Sequence, residues 1–523
     1  MIRITTISNR VFAELQRISR HRIAMCLLAA ALTMTIRIAL LPRIPVPQPY
    51  VHDEFAYLLG AETFKSGRMT NPPHPMWEHF ETFHELMQPT YMSKYPPGQS
   101  LFLALGWKLF GHPWFGVWIG YGFFCACLCW MLQNWVPPAY AMLGTAIVVA
   151  QVSIFGYWMN SYWGGAVAAG AGCLLLGTLP RLARQLRPIE VILASVGLLL
   201  LANTRPYEGL VMSAAAFVAL LLWRRNRNRS LLGLLSLRCV IPFVLVFGSG
   251  MAIDAYYNYR VTGNPFVMPY KLYSQEYEFV PSWLIFPTRT PPIYRHAAIE
   301  EHALNNLKFY YRKERANPLV SLGFPIVFYF SYLSLFPIGI GVLLGGGYRV
   351  WTAVAISACM CCGLIISTYR WPHYVAGGIG LLAVLAAYGF RLLRVTSKRY
   401  GPSLVFMLAA LLCTQSWARS LHSTVLEEKA RNFISARNSV TQACLKQGGR
   451  QLILVRYAAD HIPDYEYVFN SADIDGSAIV WARDMGEAKN QELIDYYRGS
   501  RKVWIWQPDV SPTLLTPYEA ATR

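Results

Sequence analysis

Apolar runs long enough to cross a bilayer recur along most of this chain, and they constrain its fold more tightly than any other feature. A helix needs about 20 consecutive apolar residues to span the hydrocarbon core. Runs of that kind lie near residues 23–43, 113–133, 138–156, 163–180, 188–203, 207–223, 239–258, 320–344, 350–368, 374–391 and 402–418. With 54% hydrophobic and only 14% charged residues, the composition excludes an ordinary soluble protein. The expected fold is an α-helical polytopic membrane protein with about 11 transmembrane helices. Residues 419–523 break the pattern. There QLILVRY, SAIVWAR and KVWIW read as short strands, and EAKNQELIDYYRG has helical spacing. A small C-terminal α/β domain over 419–523 is therefore expected after a membrane domain over 1–418.

The net charge of +19, from 47 Lys+Arg against 28 Asp+Glu, would point to nucleic acid in a soluble protein. Here the arginines sit in short loops between apolar runs, as the positive-inside rule asks, so no nucleic-acid partner is expected. The same arginines decide the topology. Residues 98–110 are a short apolar run after Pro96 and Pro97 that carries Lys108, and counting it as a span flips every later loop. If it lies in the interface, Arg3, Arg10, Arg17, Arg20 and Arg22 share a side with Arg181, Arg184 and Arg187. The clusters Arg224 to Arg238 and Arg391 to Arg399 join them. That arrangement puts the N-terminus in the cytoplasm of an inner-membrane protein. The loops 44–112 and 259–318, the turns 157–162, 203–206 and 369–373, and the tail then lie outside. The first run has no small-residue cleavage motif behind it and reads as a retained helix. Arg37, inside that run, must either snorkel or meet an acidic partner. Most of the 11 cysteines lie in apolar runs as small core residues, and Cys444 is alone in the tail, so no disulfide framework is expected.

The residues with chemistry gather in the outer segments. His52, Asp53 and Glu54 follow the first span closely. Adjacent carboxylates at a membrane surface fit a base tuned by desolvation and mutual repulsion, or a helix start in which Asp53 caps and Glu54 meets the dipole. Lys94 and Tyr95 precede the Pro96-Pro97 turn. Arg205 and Glu208 stand at a Pro-broken junction, Arg260, Tyr270 and Lys271 open the second large loop, and Arg370 and His373 lie in YRWPHY. Lys94, Arg205, Arg260, Lys271 and Arg370 are the cations suited to a lipid phosphate, although a solvated Lys94 and an Arg205–Glu208 pair fit equally well. Tyr95, Asn160, Tyr162, Trp163 and His373 could contact a sugar or acceptor, although aromatic-belt anchoring explains the rings equally well. The stretch with His74, Glu78, His79, Glu81, His84 and Glu85 matches no zinc motif and reads as a solvated, partly helical lid.

A basic N-terminus, one span, the Asp53-Glu54 pair just beyond it and a Tyr-Pro-Pro segment leading into LFLALGWKLFG resemble the GT-C superfamily of membrane glycosyltransferases. The branch in question holds the protein O-mannosyltransferases, the lipid A aminoarabinose transferase and the rhizobial lipopolysaccharide transferases. The resemblance implies a GT-C-like fold and a transferase that moves a sugar from a polyprenyl-phosphate donor to a glycan, lipid or protein acceptor at the outer face. It also implies that Asp53 deprotonates the acceptor hydroxyl with Glu54 beside it, and that Lys94, displaced by one residue from the family's lysine, contacts the donor phosphate. Many members carry an acidic residue in the turn after the third span, whereas residues 157–163 here hold none. A divalent cation therefore stays open, with no ligands assigned and no other cofactor expected. A transporter or flippase of a lipid-linked glycan, and a non-catalytic cell-envelope assembly protein, are the rival readings.

Overall fold

The computed structural model describes residues 2–19, 21–152, 154, 156–314, 329–396, 399–423 and 428–518. Six of its helices are long and apolar enough to cross a membrane: Arg22–Ala39, Trp114–Trp135, Pro206–Arg225, Leu237–Thr262, Tyr348–Ile366 and Pro372–Thr396. Shorter apolar helices occupy Pro138–Val152, Ala166–Leu182, Pro188–Ala202, Tyr332–Leu343 and Gly401–Gln415. Each apolar run named above coincides with one of these helices, although residues 320–328 of the run 320–344 lie outside the described residues. The chain is an α-helical polytopic membrane protein with a small α/β unit. Leu237, Ile241, Val244 and Leu245 are exposed along one long helix, as expected of side chains whose solvent is lipid.

The doubtful run forms the helix Pro97–Phe110. At 14 residues it is about 21 Å long, short of a hydrocarbon core of about 30 Å. Pro97 at its first turn fixes φ where no amide hydrogen is needed, and Gly111 ends it in the left-handed conformation at φ 79°. The helix then lies backbone to backbone on the span Trp114–Trp135, so closely that a Cβ on Gly106 would fall 1.9 Å from the amide nitrogen of Gly116. It also packs against the helix His52–Lys65, where Ser100 Oγ donates to the Tyr57 carbonyl at 2.9 Å.

Arg37 is fully buried at the end of the first span. It neither snorkels nor meets a carboxylate. Its guanidinium donates to Asn160 Oδ1 at 2.9 and 3.2 Å and to the carbonyls of Ile44 and Pro45 at 2.9 and 3.2 Å, and it lies 4.7 Å above the Trp114 ring. Neutral acceptors suffice because several of them share one charge.

Two short antiparallel strands, β1 (Glu85–Leu86) and β2 (Met92–Ser93), stiffen the segment between the helices His52–Lys65 and Pro97–Phe110. The C-terminal unit holds β3 (Gln451–Val455), β4 (Ile479–Arg483), β5 (Lys502–Trp506) and β6 (Leu515–Pro517) in the order β4-β3-β5-β6, parallel except for the last pair. The helix Glu487–Tyr496 makes the crossover from β4 to β5. Alternate residues serve opposite faces, as strand geometry dictates. Ile453, Val455, Trp481 and Trp506 pack with Phe55 and Phe433, whereas Leu452, Leu454, Val480 and Ala482 pack with Leu59, Phe80, Met87 and Tyr91. Both faces thus take core residues from the segment 55–91, and Phe55 stacks on Phe469 at 4.1 Å. The sheet is a wall of the same structure that holds Asp53.

Candidate active site at the start of helix His52–Lys65

Val51 is extended and His52 begins the helix, so Asp53 and Glu54 fall in its first turn, where free amide hydrogens favour negative charge. The two carboxylates are then treated very differently. Glu54 Oε2 accepts from the amides of Tyr50 and Val51 at 3.0 and 3.2 Å, and Oε1 accepts from the Tyr162 amide at 2.9 Å. Glu54 is a clamp joining the helix start to the turn beyond residue 160. Burial lifts its pKa to about 7 despite those donors.

Among the described residues, Asp53 makes its contacts through one oxygen. Oδ1 accepts from the Tyr95 hydroxyl at 2.5 Å and lies 3.1 Å from His84 Nε2 and 3.8 Å from His52 Nε2. The base raised by desolvation that the pair suggests is not what Asp53 becomes: burial pushes this carboxyl up, but the imidazoles of His84 and His52 and the Tyr95 hydroxyl outweigh it and hold Asp53 well below the usual carboxylate range. His84 is kept neutral, first by burial and then by the positive Lys94 nearby. It therefore donates Nε2–H to an ionised Asp53. Oδ2 is left for a further proton or ligand.

The segment read as a solvated lid is in fact buried: His79, Glu81, His84 and Glu85 are 1%, 2%, 8% and 1% exposed. The C-terminal unit and the helices after residue 268 cover it. Arg483 Nε donates to the Glu81 carbonyl at 2.7 Å, Tyr277 donates to Glu81 at 2.8 Å, and the His84 amide donates to the Tyr273 hydroxyl at 3.0 Å. His84 adopts φ 63°, a left-handed conformation unusual outside glycine, so its ring is aimed by a strained backbone.

On the other side of Asp53, Tyr95 stacks on Tyr57 at 4.5 Å. Tyr57, His373 and Tyr374 lie within electrostatic reach of both Asp53 and Arg205. Arg205 sits just before the span Pro206–Arg225 with its guanidinium 4.7 Å from the Tyr374 ring. Trp163 packs against His373 at 5.0 Å and against Tyr157 at 5.5 Å. Asp53, Tyr95, Arg205, Trp163 and His373 are thus gathered at one level of the protein.

Most of the other residues singled out by sequence have local partners. Lys94 is buried and ion-paired with Glu278 at 2.9 Å inside a cage of Tyr95, Tyr270 and Tyr273. Arg370 donates to the Ile365 carbonyl at 3.0 Å, near the end of the helix Tyr348–Ile366. Arg260 bonds the Tyr256 hydroxyl at 3.2 Å, and Lys271 is exposed. Asn160 serves Arg37, and the Tyr162 hydroxyl donates to the Pro47 carbonyl at 2.9 Å. Sequence reasoning passed over His302, Asp464, Tyr57 and Tyr374. His302 comes from the helix Ala297–Glu314, and no spacing links it to His52 or His84.

No family model matches this chain, and no curated protein matches it. Among solved structures, it is similar to the oligosaccharyltransferase of Archaeoglobus fulgidus in complex with zinc and sulfate, with 11% identity over 82% of this chain and 60% of that one and a TM-score of 0.44. A second structure of that protein, tethered to an acceptor peptide containing the NVT sequon via a disulfide bond, matches with 11% identity over 91% of this chain and 69% of that one and a TM-score of 0.45. This chain spans 60% of the length of the first of these. At such identity and TM-score no residue, substrate or metal transfers from them to this chain.

Proposed function

We propose that this protein is a GT-C-like membrane glycosyltransferase that moves a sugar from a polyprenyl-phosphate donor to an acceptor hydroxyl at the outer face of the cytoplasmic membrane. The observation that carries the reading is an ionised Asp53 with one oxygen held by Tyr95 and His84 and the other left available, sharing its aromatic surroundings with Arg205. A held carboxylate can take a proton without reorganising, and a guanidinium that shares aromatic neighbours with it suits a phosphate leaving group.

In this reading Asp53 Oδ2 accepts the acceptor hydroxyl proton as the oxygen attacks the anomeric carbon. The bond from that carbon to the phosphate oxygen breaks, and polyprenyl phosphate departs with its electron pair toward Arg205. Trp163 is the aromatic side chain suited to stack on the sugar. Glu54 positions the helix start and does not enter the chemistry. Lys94, paired with Glu278, sets the local field, and Arg205 replaces it as the phosphate cation.

The test is Asp53→Asn in the full-length protein in its own cells, with abundance checked and lipid-linked and finished glycans compared. Loss of the finished glycan with accumulation of the lipid-linked sugar is expected. An unchanged glycan profile at normal abundance overturns the reading.

A further inference from the structure

One ring nitrogen each from His52, His84 and His302 lies within 4.8 Å of the others. The three come from separate elements: the start of the helix His52–Lys65, the strained turn at His84 and the helix Ala297–Glu314. The nearest carboxylates sort their nitrogens, His84 by a hydrogen bond and the other two by proximity. His84 Nε2 faces Asp53 at 3.1 Å, His52 Nε2 faces the same oxygen at 3.8 Å, and His302 Nδ1 faces Asp464 of the C-terminal unit at 3.7 Å. The opposite nitrogens of His84 and His52, both Nδ1, are buried without a hydrogen-bond partner. Buried polar atoms are rarely left in that state.

Metal-bound histidines characteristically present one nitrogen to the ion and the other to a carboxylate, which fixes the tautomer and raises ligand basicity. We propose that His52, His84 and His302 bind one divalent transition-metal ion of the zinc class, with Asp53 and Asp464 as the carboxylates behind the imidazoles. Imidazole donors favour zinc over magnesium, which prefers oxygen. Three protein ligands leave a fourth position open, the arrangement of a catalytic rather than a closed structural zinc site. Ligand nitrogens around tetrahedral zinc stand roughly 3.3 Å apart, so the rings draw together on binding. The left-handed turn at His84, pinned by Tyr273 and by the Lys94 amide, aims that ring at the cluster. Asp464 makes the C-terminal unit part of the site.

This site shares Asp53 with the proposed transferase centre but does not depend on glycosyl transfer, and its test involves no turnover. Full-length protein in detergent is incubated with excess zinc or magnesium, gel-filtered and counted for metal by mass spectrometry. About one zinc and no stoichiometric magnesium per chain is expected. His84→Ala and His302→Ala should each lower retained zinc at least tenfold, Asp464→Asn should weaken affinity about 10–100-fold, and His21→Ala should change nothing. Should a variant fail to fold, the cobalt-loaded wild type still decides, because a tetrahedral nitrogen-rich site gives intense visible bands. Wild type with under a tenth of a zinc per chain, zinc undiminished in both folded histidine variants, or magnesium held equally well would each overturn the assignment. Transfer by protein shown to bind no zinc would remove the site and leave the transferase reading standing.

Discussion

The Tyr95 hydroxyl and His84 Nε2 converge on a single oxygen of Asp53, at 2.5 and 3.1 Å. Both lower the proton affinity of the carboxylate, and both come from the segment that leads into the helix Pro97–Phe110. Tyr95→Phe removes one donor to an anion, an interaction worth about 1.5–3 kcal/mol. The Asp53 pKa, depressed in the native protein, should then rise, and the acidic limb of the transfer rate against pH should move up by about one to two units. A pH profile of Tyr95→Phe that superimposes on the wild type would count against Asp53 as the base.

Glu85 is buried, with Oε1 unpartnered and Oε2 accepting from Tyr91 at 3.2 Å, and burial lifts its pKa to about 8. Between the ordinary glutamate value of 4.5 and about 8, the folded chain keeps a proton that the unfolded chain has released. The stability from this group is fully present below about 4.5 and is lost as the pH rises through about 8. Glu85→Gln mimics the protonated form. Its melting temperature should match the wild type at pH 5 and exceed it by several degrees at pH 8.5, a gap on the order of a few kcal/mol at most. Glu54, lifted to about 7, tilts stability the same way, so a shallower slope should remain. Parallel melting curves for the two proteins from pH 5 to 8.5 would contradict the protonated state.

Removing one partner of the buried Lys94–Glu278 pair strands a charge, which costs about 3–5 kcal/mol, whereas replacing both with apolar residues is often near neutral. Lys94→Met alone should lower the melting temperature markedly, and Lys94→Met with Glu278→Leu should recover most of the loss. The double variant should keep its KM for the donor within about threefold, while Arg205→Gln should raise that KM tenfold or more, since a charge-assisted bond is worth about 1.5–3 kcal/mol. Titrating the lipid donor against both proteins separates the two cations, and a stable double variant that has lost donor binding would return the phosphate to Lys94.

Asn160→Ala takes away the side-chain acceptor of the fully buried Arg37 and leaves the carbonyls of Ile44 and Pro45. A loss of about 1–3 kcal/mol is expected, read as a lower melting temperature in detergent. Asn160→Asp still offers an oxygen to Arg37 but sets its other oxygen against the Ile154 and Gly156 carbonyls, to which the amide donates, so it should lose stability as well. If Asn160→Ala instead kept full stability and lost transfer, Asn160 would be a sugar contact.

The membrane helices were legible because a span must satisfy its own backbone hydrogen bonds and so writes itself as one continuous apolar run. The strands of the C-terminal unit were legible for the related reason that QLILVRY and KVWIW must be apolar where a sheet is covered. The Asp53-Glu54 pair was visible, but its division of labour was not: Glu54 became a clamp through the Tyr162 amide, 108 residues away, and no local pattern encodes that bond. The segment 74–85 looked solvated because its residues are polar, yet it is covered by residues more than 180 positions later. Polarity marks buried and solvated polar networks alike, and only the partners distinguish them.

Sequence alone therefore determined the solvent of this protein, the helices that live in it and the end of the chain that does not, since burial in lipid or in a sheet is a property of contiguous residues. Tertiary structure decided which polar residues meet. His52, His84 and His302 sit in three segments that share no period, and Asp464 approaches from a fourth. Their meeting depends on how the C-terminal sheet and the helix Ala297–Glu314 close over the segment 52–96. Packing at that distance is set by the whole fold.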